Sequence, residues 1–387
     1  MMKKQKVAFI VQRSGKEVNG GAESYCFTIA EKMKKYWDIE ILTTCALDYM
    51  TWENYYDEGI EVVNDIPIRR FKVDEVRDIE KFNNFYKNGM PEAETTTIEK
   101  AETWMKLQGP NSENLTAFIK NNSDKYDAFI FFTYIYATTY FNLPFVKEKA
   151  YLASFAHDER PIYLPIWKDF FKKPKKMIFS TVEEKNFLQK QFPDVKFDGD
   201  IFGIGIDKPN DISNIRFRQK YDIYSPYILY IGRIDESKGV HDLIQYFLKF
   251  IDKYKINIKL VLAGKSVIDI PKNEFIKYIG FIDEQTKFDA IEDCELLVNS
   301  SPFESLSMVL LEAWSMNRPV LVNRISDVMV GQCKRSGGGK SYLGYDSFEN
   351  ELKSMLDENK YYDTLSSFIE SEYSWKVIEN KFLKLLD

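Results

Sequence analysis

Two carboxylates and two cations in the second half of the chain have spacings suited to chemistry on a phosphorylated polyol. The segment Ser301-Pro302-Phe303-Glu304-Ser305-Leu306-Ser307-Met308-Val309-Leu310-Leu311-Glu312 follows a strand-like run, Leu296–Asn299. Its apolar stretch from Leu306 predicts a helix starting near Ser305 or Ser307, whose unpaired backbone N–H groups form an anion site. Glu304 then precedes the helix, and Glu312 lies roughly 8 Å along it at about 1.5 Å per residue. One ligand can span both: a sugar near Glu304, phosphates at the helix start, and ribose hydroxyls, a vicinal diol, near Glu312. The plainer reading makes Glu304 a helix cap and Glu312 a solvent-facing residue.

The cations come from Gly232-Arg233-Ile234-Asp235-Glu236-Ser237-Lys238-Gly239, directly after the strand-like Tyr227–Ile231. A tight turn at Gly232 presents Arg233 and Lys238 at the end of that strand. Fixed cations there suit a diphosphate leaving group, which gains charge as its bond to a sugar breaks. Arg binds phosphate bidentately and Lys acts as a point charge. A third candidate is the glycine pair Gly20-Gly21 after Asn19, ahead of a helix over about Ala22–Lys35; paired glycines there permit close approach of a ligand to the backbone.

His157, in Ala156-His157-Asp158-Glu159, is read either as a structural hydrogen-bonding residue or as a contact to a sugar or acceptor. His241 reads as structural. Two phosphate-loop near misses, Gly15 to Gly21 and Gly339-Lys340-Ser341, lack required residues and support no nucleoside triphosphatase. Asp198-Gly199-Asp200 has a D-x-D spacing able to hold Mg²⁺, but chance or a surface turn is the better reading, and no metal requirement is expected.

The elements that position these residues repeat one grammar, an apolar strand, a glycine turn, an amphipathic helix and the next strand. In the first half the pattern runs Lys6–Val11, the helix from Ala22, and Ile39–Thr43, with Ala128–Phe132, Tyr151–Phe155 and Met177–Phe179 as further strands. In the second half it runs Tyr227–Ile231, a helix near Val240–Ile251 and Ile258–Ala263, then Lys277–Ile279, Leu296–Asn299 and Val320–Asn323. Such alternation predicts α/β architecture with parallel sheets and right-handed crossovers, with ligands at the carboxyl ends of the strands. The expected domains are residues 1–207, with a polar insertion at about 74–123, and residues 208–372. A terminal helix over 373–387 is expected to pack back on the first domain. Asp207–Ser225 reads as the boundary segment, and the insertion reads as a candidate acceptor-binding element.

Composition narrows the classes. The chain has 387 residues, 44% apolar and 29% charged, with 24 Tyr and 29 Phe, as in a globular protein of two or three domains. A net charge of −6 argues against bulk nucleic-acid binding. Cys26, Cys45, Cys294 and Cys333 show neither zinc nor disulfide spacing, and Cys26 and Cys294 read as core fillers. The stretch from Met1 to Val11 is too short for a signal-peptide core or a membrane span, so a cytoplasmic location is expected, with possible association at the inner face of the membrane. Trp167-Lys168-Asp169-Phe170-Phe171-Lys172-Lys173-Pro174-Lys175-Lys176 is a candidate peripheral contact to anionic lipid. Its alternative is a solvated helix end with the aromatics packed inward.

Together these residues resemble the GT4 family of retaining glycosyltransferases, which have the GT-B fold of two Rossmann-like domains facing across a cleft. Glu304 and Glu312 match that family's E-x7-E motif, Arg233 and Lys238 its phosphate-binding pair, and Gly20-Gly21 its N-terminal glycine loop. Tyr278-Ile279-Gly280-Phe281, Gly203-Ile204-Gly205-Ile206-Asp207 and His157-Asp158-Glu159 extend the resemblance over almost the whole chain. It implies a nucleotide-sugar donor as co-substrate without further cofactor, the base near Ile279 and Phe281, and the ribose on Glu312. The donor sugar and diphosphate would lie against Glu304 and residues 305–309. It also implies a glycan or lipid-linked acceptor, and no protein nucleophile, the leaving phosphate helping to deprotonate the incoming hydroxyl. A sugar-nucleotide epimerase of the same fold or a silent sugar-binding module are the alternatives; a dehydrogenase is disfavoured because no G-x-G-x-x-G follows a strand.

Overall fold

A computed structural model describes residues 4–18, 20–90, 92–93, 95–357 and 364–386. Met1–Lys3 and Asn19, used above, lie outside the described residues. The chain divides into two compact units, Met1–Ile204 with Glu379–Asp387, and Gly205–Ile378.

Among the described residues of the first unit, eight strands form one sheet: β1 (Lys6–Arg13), β2 (Asp38–Thr44), β3 (Gly59–Val63), β4 (Ile66–Phe71), β5 (Ala128–Phe132), β6 (Ala150–Ala153), β7 (Lys176–Phe179) and β8 (Gly199–Ile201), in the order β3-β4-β2-β1-β5-β6-β7-β8. All neighbours pair in parallel except β3 with β4. Continuous burial of Val7–Arg13 and Ala128–Phe132 reflects a sheet covered on both faces. The helix Gly21–Met33 covers it with Tyr25, Cys26, Ile29, Ala30 and Met33.

The β3–β4 hairpin went unread in the sequence although its turn is plain in hindsight. Val63 pairs with Ile66 across Asn64-Asp65, and both turn residues have positive φ (48° and 60°). That is the two-residue hairpin conformation for which Asn and Asp are suited.

Among the described residues of the insertion 74–123 are the α-helices Ile79–Asn84, Ile98–Gln108 and Glu113–Asn122. Each is capped by a side chain, Asp78, Thr97 and Ser112, accepting from the N–H three residues on. Trp104, Met105, Leu115 and Ile119 are buried in the unit's core. Trp167, Phe170 and Phe171 are buried in that core too, Trp167 meeting Tyr134 at 4.7 Å between ring centroids. The candidate lipid contact therefore has no aromatic free to insert. Its Lys168 pairs with Asp194 and its Lys172 with Asp169. No helix among the described residues is long and apolar enough to cross a membrane.

The second unit carries β9 (Tyr227–Ile231), β10 (Lys259–Ala263), β11 (Ile276–Gly280), β12 (Leu296–Asn299), β13 (Val320–Asn323) and β14 (Gly339–Tyr342), all parallel, in the order β11-β10-β9-β12-β13-β14. Chain direction across this sheet reverses between β9 and β12, the switch point where doubly wound sheets bind ligands. The helix Val240–Tyr254 covers it with Leu243, Ile244, Phe247, Phe250 and Ile251, a stripe at i, i+3 and i+4 spacing.

Other segments weighed in the sequence take definite places in the fold. Within Asp207–Ser225, Asn214–Tyr221 is a helix of the second unit, and Arg216 grips the buried Asp289 at 2.6 Å. Of Asp198-Gly199-Asp200, Gly199 and Asp200 belong to the edge strand β8, which leaves chance as the reading of the D-x-D spacing, and Gly199 is so close to β7 that a Cβ would lie 2.1 Å from the Met177 carbonyl oxygen. Gly339-Lys340-Ser341, already set aside as a phosphate loop, lies in the strand β14, with Lys340 bonded to Ser354 at 2.6 Å. All four cysteines are buried and unbonded to one another, and burial pushes the Cys294 and Cys333 thiols up to about 12.

Candidate functional site

The strands β9 and β12 lie side by side, Leu296 paired with Ile228, so the loops leaving their carboxyl ends begin as neighbours. After β9, Gly232 turns the chain at φ 156°, and the Tyr230 hydroxyl donates to the Arg233 carbonyl at 2.7 Å. Asp235 then caps a short 3₁₀ turn by accepting from the Lys238 N–H at 2.9 Å. Gly239 closes that turn in the left-handed region, φ 67°, where a Cβ would stand 2.6 Å from the Ser300 carbonyl oxygen. Only glycine meets both conditions. The Ser300 hydroxyl completes the join by donating to the Lys238 carbonyl at 2.7 Å.

This join delivers Lys238 to Glu304. The Lys238 Nζ donates to Glu304 Oε1 at 2.7 Å and to the Ser301 Oγ at 3.3 Å. Both charged side chains keep partial solvent contact, 24% and 19% exposed. Glu304 is thus neither a helix cap nor a bystander; it is the counter-ion of the cation that the sequence assigns to phosphate.

The helix itself runs Met308–Ser315, with Ser307 as its N-cap and Glu304, Ser305 and Leu306 in the loop before it. Ser307 makes no capping hydrogen bond with its side chain. Its Oγ accepts instead from Asn299 Nδ2 at 3.0 Å, while Asn299 Oδ1 takes the Ser301 N–H at 3.0 Å. Asn299 therefore folds the loop back on the end of β12, and the side chain that ordinarily quenches a helix start is engaged elsewhere. The first-turn N–H groups around Met308 and Val309 keep their partial positive charge for an anion.

Glu312 does not face solvent. Its side chain is 13% exposed and accepts from Lys287 Nζ at 2.6 Å, Lys287 standing on the helix Glu284–Ile291. Burial raises the Glu312 carboxyl above its ordinary value, with Lys287 pulling the other way. Burial alone would lower the Lys287 ammonium, but Glu312 and Glu284 outweigh it and the net shift is upward. Mutual attraction between the two groups thus works against the cost of desolvating each of them.

Arg233 is the more exposed cation, its side chain 60% accessible and 3.5 Å from Asp235. At the end of β11, Ile279 is half-buried and Phe281 is 76% exposed, a flat apolar ring left on the surface beyond Gly280. The carboxyl ends of β9, β10 and β11 close on one another at Gly232, Gly264 and Gly280, with the Gly264 N–H donating to the Gly280 carbonyl at 2.8 Å. A Cβ on Gly264, φ 141°, would lie 1.8 Å from the Gly232 carbonyl oxygen. Gly264→Ala is expected to cost about 1–3 kcal/mol through backbone strain. Each kcal/mol lowers the melting temperature by about 2–4 °C in a domain of this size. An unchanged melting curve would show that the strand ends are less closely joined.

The remaining sequence candidates belong to the first unit. His157 follows β6 by four residues, its Nδ1 3.2 Å from the Phe155 carbonyl oxygen and its Nε2 3.6 Å from Glu159. Its loop is held by Glu184, fully buried, which accepts from the Ser154 hydroxyl (2.6 Å), the Ala156 N–H (2.9 Å) and the Ser180 N–H (2.7 Å). Gly20 has ordinary extended backbone; a Cβ there would strike the Glu23 carboxylate at 2.1 Å, itself paired with the buried Arg13 at 2.6 Å. Nothing stands within 4 Å of a Cβ on Gly21, which opens the helix. His241 lies beside Gln245 on the helix Val240–Tyr254. Lys287, Asn299, Ser301 and Gly264 were not singled out in the sequence. An asparagine ending a strand before a serine pair was the one available signal; Lys287 offered none.

Residues 225–337 match the family described as Glycosyl transferases group 1. The match begins just before β9 and ends just before β14, so it contains Arg233, Lys238, Lys287, Glu304 and Glu312. An uncharacterized glycosyltransferase of Methanocaldococcus jannaschii is 27% identical over 172 residues, 41% of this chain and 42% of that protein. The chain thus aligns with less than half the length of this curated relative. Among solved structures, sucrose-phosphate synthase from Thermosynechococcus elongatus superposes with a TM-score of 0.71 at 13% identity, covering 99% of this chain and 98% of that one. HepE of Anabaena, solved in complex with UDP-glucose, superposes with a TM-score of 0.66 at 12% identity, covering 98% and 99%. At such identities the likeness establishes the fold, that of GT-B glycosyltransferases. The family domain and the glycosyltransferase relative together support a glycosyltransferase enzyme.

Proposed function

We propose that this protein is a retaining, metal-independent glycosyltransferase that moves a hexose-type sugar from a nucleoside diphosphate sugar to a glycan or lipid-linked acceptor, in the synthesis of cell-surface polysaccharide. The observation that carries the reading is the Lys238–Glu304 pair at the switch point of the second sheet, beside a helix start whose cap side chain is turned away. An anionic diphosphate and a neutral sugar fit the two ends of that arrangement. The diphosphate takes the N–H groups of the helix start and the ammonium of Lys238, with Arg233 reaching it from the same loop. The sugar hydroxyls replace Lys238 as donors to Glu304. Ribose hydroxyls meet Glu312, and the base meets Ile279 and Phe281.

In the transfer, the acceptor hydroxyl oxygen bonds to the anomeric carbon on the face that the diphosphate leaves. The carbon–oxygen bond to the diphosphate breaks, and the hydroxyl proton passes to the departing phosphate oxygen. Charge grows on the phosphate through this step, and the cations and N–H dipoles are already in place to stabilise it without reorganisation.

Thermal shift with UDP-, GDP- and dTDP-sugars tests the donor class directly. A ligand that binds only the native state at 100 times its Kd adds about 2.7 kcal/mol to stability, so the matching donor should raise the melting temperature by several degrees. A flat response to every nucleotide sugar, and to their nucleoside diphosphates, would reject this function.

A further inference from the structure

We propose that Lys287 is the positioning residue of the nucleotide site, holding Glu312 as an ionised, oriented acceptor for the ribose hydroxyls; the proposal rests on the reading of Glu312 as the ribose carboxylate. Glu312 emerges from the helix Met308–Ser315, one turn beyond the residues that would hold the diphosphate. Its carboxylate is largely buried, its Oε1 fixed by Lys287 at 2.6 Å. Lys287 engages Oε1, which leaves Oε2 as the oxygen offered to a ligand.

Accepting from two hydroxyls requires the charged carboxylate. A protonated carboxyl turns one oxygen into a donor and weakens the other as an acceptor. Burial drives Glu312 toward that neutral form, and the ammonium of Lys287 opposes it. Lys287 comes from a different helix, Glu284–Ile291, so it also ties the carboxylate to a second rigid element. Glu284, at the exposed end of that helix, takes the same ammonium at 2.8 Å. The ammonium is thus anchored from two sides, and Glu312 keeps one direction. Lys287 acts through Glu312, without itself touching the nucleotide.

A merely structural ion pair and a positioning pair differ in one readout, the preference for ribose over 2′-deoxyribose. Titration calorimetry of the full chain with UDP and GDP, each against its 2′-deoxy counterpart, measures it. The unaltered protein should prefer the ribonucleotide by about tenfold or more, as for a charge-assisted hydrogen bond. Lys287→Met should reduce that preference to within about threefold, weakening the ribonucleotide more than the 2′-deoxynucleotide, which keeps only its 3′-hydroxyl for Glu312, and Lys287→Arg should restore it. Lys287→Gln serves in place of the methionine variant should that one fail to fold. Full preference retained in Lys287→Met or Lys287→Gln overturns the role of Lys287 and leaves the ribose reading intact. No preference in the unaltered protein, with nucleotide still bound, removes the ribose reading and this proposal with it. Equal losses for both sugars mark Lys287 as structural only.

Discussion

Turnover in a Lys238→Ala variant is expected to fall by about 100- to 1000-fold, the typical effect of removing one preorganised electrostatic stabiliser. The change removes the ammonium that the β9 and β12 loops bring to Glu304, and leaves Arg233, 3.5 Å from Asp235, as the remaining cation of that loop for the diphosphate. Stability should move by no more than about 1 kcal/mol, because Lys238 and Glu304 both keep solvent contact and water can cover the stranded carboxylate. The turn should survive as well, since its geometry rests on Asp235, Gly239 and the Ser300 hydroxyl donating to the backbone of residue 238. Steady-state kinetics beside a melting curve decides the matter. Near-normal turnover in a folded variant would reject Lys238 as a stabiliser of the leaving group.

Glu304→Gln should separate two ligands that a general loss of binding would not. Glutamine keeps the shape of the side chain and removes its charge. Without donor, Glu304 neutralises Lys238 at 2.7 Å, so a bare diphosphate must compete with the carboxylate for the ammonium. In the variant that competition is gone, and the affinity for UDP or GDP should hold or rise by up to about tenfold, the equivalent of about 1.4 kcal/mol. Transfer should nevertheless fall by about 100-fold, because a neutral amide accepts sugar hydroxyls more weakly than a carboxylate does. Opposite movements of nucleoside diphosphate affinity and turnover are the signature to look for. Parallel losses in both would place Glu304 on the phosphate side or make it a scaffold residue.

Much of this site could be read locally. The strand Tyr227–Ile231, the turn at Gly232, the strand Leu296–Asn299 and the placement of Glu304 ahead of a helix all follow from apolar runs and turn residues close in the chain, and the structure has them with the same bounds. A boundary slipped where a helix could run on, as at Tyr254, while the cap of the helix Met308–Ser315 fell at Ser307, one of the two starts expected. The β3–β4 hairpin was missed because Gly59–Val63 is exposed over four of its five residues and lacks an apolar face to betray it. The helices of residues 79–122 were only partly legible, since their apolar stripes are thin and their cap residues, Asp78, Thr97 and Ser112, sit in a polar background.

The chain by itself determined which segments are strands of a buried parallel sheet and which loops carry charge at their ends, because periodicity and turn chemistry are properties of neighbours. Which charges meet was decided by tertiary structure. Lys238 and Glu304 are 66 residues apart and Lys287 and Glu312 are 25 apart. Strand order alone makes β9 and β12 adjacent and so joins the first pair, and helix packing against that sheet joins the second. Pairing across such distances depends on burial and on the geometry of whole elements, neither of which is a property of any short stretch of sequence.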